Sequence, residues 1–238
     1  MKALSSNIGL GELWRVIGER AEQLARRVSR WNRERKWVCF RQVIGVDHRA
    51  TILDVGAQNE DYSIVDNYIE KHYPYPDKIT ALGIEPLPDF ARRYPLVHCV
   101  VYPGGEFPFT DKQFDVVWSN AVLEHVGDFD AQVAFLRQIK RVGRRMFITT
   151  PNARFPVELH TRLPMLHYLP KSMFDWLLKR IGKNWATGAY MNLLSERHLR
   201  RALELAGIFN YQLYRNRLAG FVLDFVVVAD FRGSHEGQ

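Results

Sequence analysis

Phe107-Pro-Phe-Thr-Asp-Lys-Gln-Phe-Asp-Val-Val-Trp-Ser-Asn-Ala-Val-Leu-Glu-His-Val126 is the stretch whose reading decides the fold. From Phe114 to Ser119 it is a short apolar run with β-branched residues, the pattern of a buried strand. Ser119 and Asn120 stand at the tip of that run, and Glu124 and His125 follow at the start of a helix. Two stretches upstream share this plan. Thr51-Ile-Leu-Asp-Val-Gly-Ala57 is an apolar strand that stops at an acid and a glycine. Ile79-Thr-Ala-Leu-Gly-Ile-Glu-Pro86 is another that ends on a single acid. In an open parallel sheet, ligands bind beyond the carboxyl ends of the strands, near the point where strand order reverses. All three stretches carry their polar residues there.

Helical patterns alternate with these strands. Helices are expected over Tyr62 to His72, Leu87 to Tyr94 and Asp130 to Val142, with further strands over Val97 to Tyr102 and Arg144 to Thr149. Such alternation predicts an α/β fold around a mostly parallel sheet. Asp115, at the start of its strand, reads as structural. The prolines in Tyr73-Pro-Tyr-Pro-Asp77 end the first of these helices. Ser195 caps a later helix that runs to Ala206, and Gly207 ends it. Two β-rich runs, Phe209 to Tyr214 and Phe221 to Ala229, close the chain. Between the fifth strand and the Ser195 cap lies a segment, residues 150–192, that opens Thr150-Pro-Asn-Ala-Arg-Phe-Pro-Val-Glu-Leu-His160. It leaves from the binding edge of the sheet and reads as a lid or as a wall of an acceptor pocket.

The three stretches resemble the class I S-adenosylmethionine-dependent methyltransferases, in particular their type 11 small-molecule group. Phe107 to Val117 follows that group's phrase before strand four nearly residue for residue, and the Thr-Pro-Asn opening with Glu-x-His after it is similar too. The resemblance implies a Rossmann-like class I methyltransferase fold: a mostly parallel seven-stranded sheet with a C-terminal antiparallel hairpin, here with an N-terminal helical extension. It implies S-adenosyl-L-methionine as cofactor. The turn at Asp54, Gly56, Ala57 and Gln58 would hold its methionine part, and Glu85 with Pro86 its ribose. Gly105 and Glu106 would lie near the adenine, and Ser119 and Asn120 beside the reactive methyl. The chain departs from the family at Gln58 and Asn59, where two further glycines are usual.

Methyl transfer to a hydroxyl needs a base, and histidine is the usual one. His125 and His160 are the candidates, with Glu158 or Glu124 as partners. The same four residues are types that could hold Mg or Mn, but their spacing does not establish a site, and no metal is assigned.

The 238 residues allow one α/β domain with decoration; no repeat or low-complexity tract is present. We divide them into an N-terminal basic amphipathic helical extension, 1–46, and a methyltransferase domain, 47–238. In the extension, Leu13, Ile17, Leu24, Val28 and Trp31 recur on one helical face, amid Arg15, Arg20, Arg26, Arg27, Arg30, Arg33, Arg35 and Lys36. Such a helix either packs on its own domain or lies in a membrane interface, the second giving peripheral membrane contact and a membrane-adjacent acceptor. Trp37 to Val46 continues it toward the sheet. Much of the net charge of +7 lies in this extension, so it need not describe the catalytic domain. No apolar run approaches the ~20 residues of a membrane span. No signal-peptide core is present, and the two cysteines, Cys39 and Cys99, read as reduced thiols of a cytoplasmic protein.

The expected reaction is methyl transfer to a small-molecule or saccharide acceptor, with an oxygen acceptor favoured by the histidines. A non-catalytic nucleotide-binding module with an altered glycine turn is the alternative. A nicotinamide oxidoreductase fits less well, because the Gly-x-Gly-x-x-Gly turn is absent. A nucleic-acid substrate is not expected, since strand four ends in Ser-Asn-Ala-Val and no RNA-binding module is evident.

Overall fold

The computed structural model describes residues 10–156 and 191–232, with side chains from Gln23 onward, together with Met173, Trp176 and Arg180. Seven strands form one sheet in the order β3-β2-β1-β4-β5-β7-β6. They are β1 (Ile52–Val55), β2 (Ile79–Gly83), β3 (His98–Val101), β4 (Val116–Asn120), β5 (Arg145–Pro151), β6 (Tyr211–Leu218) and β7 (Phe221–Asp230). The first five run parallel, and β7 pairs antiparallel with both β5 and β6. Strand order reverses between β1 and β4, so the switch point lies at their carboxyl ends.

The central strands are buried on both faces, and this is why they read as unbroken apolar runs. One face is covered by α4 (Phe129–Val142) and α5 (Glu196–Leu205), through Leu136, Ile139, Leu199 and Leu203. The other is covered by α1 (Leu10–Val43), α2 (Tyr68–His72) and α3 (Pro88–Arg93), through Phe40, Ile69 and Phe90. Asp128 caps α4 by accepting from the Ala131 amide, and Ser195 caps α5 by accepting from that of His198. Asp115 is structural. Its Oδ2 accepts from the Thr51 amide and hydroxyl, both at 3.0 Å, and its Oδ1 from Arg144 at 2.9 Å.

Two elements differ from their sequence reading. The helix expected from Tyr62 is formed only from Tyr68 to His72. Asn67 sits at φ +43 in the left-handed region, which a helix cannot pass through. The last hairpin is longer than expected, because β6 continues through Arg215, Asn216 and Arg217. These polar residues suit an edge strand, and Arg215 reaches Glu196 of α5. Ala219 and Gly220, both at positive φ, make the tight turn.

α1 is one helix from Leu10 to Val43. Its second half is bound into the sheet by rings. Phe40 meets Trp118 edge-on at 5.1 Å and Phe147 at 5.3 Å, and those two rings stack on each other. Arg145, at the start of β5, donates to the Ile44 carbonyl, whereas Lys36 reaches Thr149 near the end of β5. The helix therefore runs antiparallel to β5, and the turns before Asn32 extend past the carboxyl edge of the sheet. There Leu24 and Trp31 are exposed. Among the described residues, no helix is long and apolar enough to cross a membrane.

Candidate active site

The carboxyl ends of β1, β2 and β4 form the cleft. At the end of β1, Asp54 is buried and Gly56 turns the chain at φ +101. A Cβ at Gly56 would come within 2.3 Å of the Val122 side chain, so only glycine fits. The expected second and third glycines are replaced by a braced loop. Asn67 accepts from the Gln58 amide at 3.1 Å and donates to the Gln58 carbonyl at 2.9 Å. Asn59 accepts from the Asp89 amide at 2.8 Å and donates to the Asp89 carboxylate at 2.9 Å. Side-chain amides thus fix a path that glycines would leave loose. Ala57 is buried below this loop, and Gln58 is exposed on it.

Behind Asp54 stands Glu70 of α2, also buried. Neither Glu70 carboxylate oxygen meets an N–H or O–H donor among the described residues. Its neighbour is the Asp54 carboxyl, and a proton on either acid would relieve the repulsion between them. Burial raises Asp54 to about 6, while the Glu70 hydrogen bond and Arg33 of α1 pull it back. Burial and the Asp54 charge raise Glu70 well above the ordinary carboxylate range. An acid whose folded value lies above its unfolded one favours folding at low pH, and that advantage is lost as pH rises through about 6. For Asp54 the difference is worth roughly 3 kcal/mol. Glu70→Gln removes the like charge and supplies an amide donor to Asp54. It should be more stable than the wild type at about pH 8, with a flatter pH dependence in urea unfolding. Lower stability at that pH would refute the like-charge coupling of the two acids.

Glu85 lies just past the end of β2 with its carboxylate exposed, followed by exposed Pro86. Tyr62, 76% exposed, lies within electrostatic reach of Glu85. Gly105 is exposed at φ +82 with open space around it. Glu106 is exposed and pairs with Arg141 of α4 at 3.5 Å.

At the tip of β4, Ser119 is buried, and its hydroxyl donates to the Val55 carbonyl at 3.2 Å, tying β4 to β1. Asn120 is half-buried at the cleft. Its Oδ1 accepts from the Thr149 hydroxyl at 2.8 Å, and Lys36 Nζ lies 3.5 Å away. With an ammonium and a hydroxyl facing Oδ1, the amide –NH2 must point the other way. Ala121 then takes φ +58, and the chain enters a 3-10 turn, Leu123–His125. Glu124 in that turn is fully buried. One of its oxygens accepts from the Thr150 hydroxyl at 3.1 Å, and the other meets no donor among the described residues. His125 is half-buried beside it. Glu158 and His160 lie outside the described residues. The ends of their segment do not: Asn152 and Leu194 pair beside the site, and the Asn192 amide donates to the Glu124 carbonyl at 2.7 Å.

Residues 80–146 match the sequence profile of the type 11 methyltransferase domain family. The matched stretch runs from β2 to the start of β5, the part of the sheet that carries the cleft. Among solved structures, this chain is similar to the 1,6-didemethyltoxoflavin-N1-methyltransferase of Burkholderia thailandensis, which holds 1,6-didemethyltoxoflavin and S-adenosylhomocysteine. The identity is 17% and the TM-score 0.53, over 97% of this chain and 92% of that one. It is also similar to a protein of Pyrococcus horikoshii, at 12% identity and a TM-score of 0.54, over 84% and 90%. At such identities the likeness is one of fold. No curated protein sequence matches this chain.

The cleft suits its donor. Gly56 lets the backbone turn tightly against Val122, the carboxylate at the end of β2 has no hydrogen-bond or ion-pair partner among the described residues, and a buried acid pair lies under the turn. Reading the sequence did not find Glu70, Lys36, Asn67 or Asp224 as parts of the site. Glu70 sits in Tyr-Ile-Glu-Lys-His72, which reads as an ordinary exposed helix face. Only the fold shows which side is inward.

Proposed function

We propose that this chain is an S-adenosylmethionine-dependent methyltransferase that acts on a hydroxyl of a small molecule or saccharide, with His125 as the base. The observation that carries the reading is the position of His125. It stands in the turn that leaves the β4 tip at the switch point, half-buried beside the buried carboxylate of Glu124. When bound, S-adenosylmethionine supplies an electrophilic methyl on a sulfonium. The residues of the chain do the positioning, which provides much of the rate in such a displacement. Glu85 would accept from the ribose hydroxyls, with exposed Tyr62 and Ile84 as the apolar surface beside it. Gly105 and Glu106 would border the base. Asp54 and the loop through Gly56, Ala57 and Gln58 would hold the methionine end. Asn120 would present its –NH2 to the reacting groups, and Ser119 would keep the two strand tips in register.

His125 would take the proton of the acceptor hydroxyl as the methyl arrives. The segment containing Glu158 and His160 begins and ends at this cleft, and this supports it as the acceptor wall. A narrower reading, a membrane-adjacent acceptor, rests on the exposed outer turns of α1 alone. It is to be dropped if anionic vesicles fail to retain the protein at low salt.

The test is transfer from S-adenosylmethionine to a panel of hydroxylated acceptors, followed by mass spectrometry. His125→Ala should lower kcat by about 10²–10⁴ with the donor KM unchanged. Undiminished turnover in that variant would remove His125 from the chemistry.

A further inference from the structure

Arg33 is a cation that no carboxylate closes on among the described residues. It sits on α1 between Asn32 and Lys36, both buried and both fully engaged. The Asn32 amide donates to Asp224 at 2.6 Å, and Lys36 pairs with Asp224 at 2.5 Å. Arg33 itself, partly buried, forms no hydrogen bond and no ion pair among the described residues. Exposed arginines often stand so, hydrated by water. A guanidinium on an inward-facing helix side is different, because it has five donors in a rigid fork and less water to satisfy them.

Its place follows from the helix. Lys36 is level with Thr149 and Asn120, at the ends of β5 and β4. Arg33 is three residues earlier on the same face, about 4.5 Å farther along an axis that runs out past the strand ends. The side chain thus stands over the cleft. The carboxylates of Asp66, Asp224 and Glu124 are all within electrostatic reach, and so is that of Asp54. None of them closes on it as an ion pair.

We propose that Arg33 binds the α-carboxylate of the donor's methionine moiety. This inference rests on the reading that the methionine end lies at the Asp54–Gly56 turn. A methionine end is a zwitterion: an ammonium and a carboxylate on one carbon, with the sulfonium further along. The acid pair of Asp54 and Glu70 offers negative charge under the turn, and Arg33, within electrostatic reach of Asp54, offers positive charge. A planar guanidinium takes a carboxylate with two parallel N–H donors, which fixes its orientation as well as its position. The N-terminal helix would then be part of the donor site, and its docking through Lys36 and Asp224 would set the reach of Arg33.

The test compares two adenosine thioethers that differ at this end. S-adenosylhomocysteine carries the amino-acid group, and 5′-methylthioadenosine lacks it. Each is titrated calorimetrically into wild type and Arg33→Met. In the variant, S-adenosylhomocysteine should bind about 10- to 100-fold more weakly, as for loss of a charge-assisted pair. 5′-Methylthioadenosine should bind equally to both proteins. The melting temperature of Arg33→Met should change little, since no hydrogen bond or ion pair of Arg33 among the described residues is broken and its remaining charge interactions are long-range. Equal weakening of both ligands would make Arg33 a structural residue and overturn the inference, as would unchanged affinity for S-adenosylhomocysteine. Wild type that binds neither ligand would instead remove the donor reading on which it rests, and the inference with it.

Discussion

Asp224→Asn should lower the unfolding free energy by about 3–5 kcal/mol, the largest effect expected of any single substitution in this protein. Asp224 is 1% exposed on β7, and its carboxylate is the anion of a buried network. Lys36 pairs with it at 2.5 Å, Asn32 donates to Oδ2 at 2.6 Å, and Asn216 donates to Oδ1 at 2.8 Å. A neutral amide at position 224 leaves the Lys36 ammonium buried without a counter-charge, and its own –NH2 faces donors. Isolating one ion of such a pair is more damaging than removing both. Lys36→Met combined with Asp224→Asn should therefore recover part of the loss. Urea unfolding of the four proteins gives the coupling directly, expected at about 1–3 kcal/mol. Additive losses would mean that the two side chains do not act as a pair. Activity should fall in parallel, since the same ammonium fixes the Thr149 and Asn120 side chains at the β4 tip.

Gly56→Ala should be nearly as severe. The backbone at φ +101 is closed to a Cβ, at about 1–3 kcal/mol. The added methyl also meets the Val122 side chain at 2.3 Å, and overpacking of this kind costs a further ~1–3 kcal/mol. Val122→Ala added to Gly56→Ala should relieve the second part and not the first. Full restoration by the pair would show that the turn tolerates a side chain. The single variant should also lose donor affinity, because the loop after Gly56 must shift as a unit. It is tied through Gln58 to Asn67 and through Asn59 to α3.

The framework of this protein was legible in its sequence because buried parallel strands leave a plain mark. Ile52–Val55, Ile79–Gly83 and Val116–Asn120 are apolar runs ended by polar residues, and their tips meet at one edge. The glycine and acid at the end of β1 and the acid after β2 stand out because they interrupt those runs at the same edge. Less visible was everything set by side-chain amides. Asn67 and Asn59 brace the turn in which glycines were missed, and a single asparagine in a polar stretch carries no periodic signal. Packing of α1 on its own domain was one of its two readings, but which face turns inward was hidden for a related reason: Leu24 and Trp31 are exposed. Its sheet-facing side carries Asn32, Arg33 and Lys36 along with Trp37 and Phe40, and a mixed face reads as a surface. Burial of charge on charge, as in Lys36 with Asp224 or Asp54 with Glu70, pairs residues more than a dozen positions apart. Only the strand order brings them together.

The central claim is that the carboxyl edge of β1, β2 and β4 holds the donor, with Glu85 on its ribose. Calorimetric titration of wild type and Glu85→Ala with S-adenosylmethionine tests it most directly. Saturable binding by the wild type, weakened about 10- to 100-fold in Glu85→Ala, is the result expected from loss of charged hydrogen bonds. Equal affinity in the two proteins would contradict the claim and move the donor away from the end of β2.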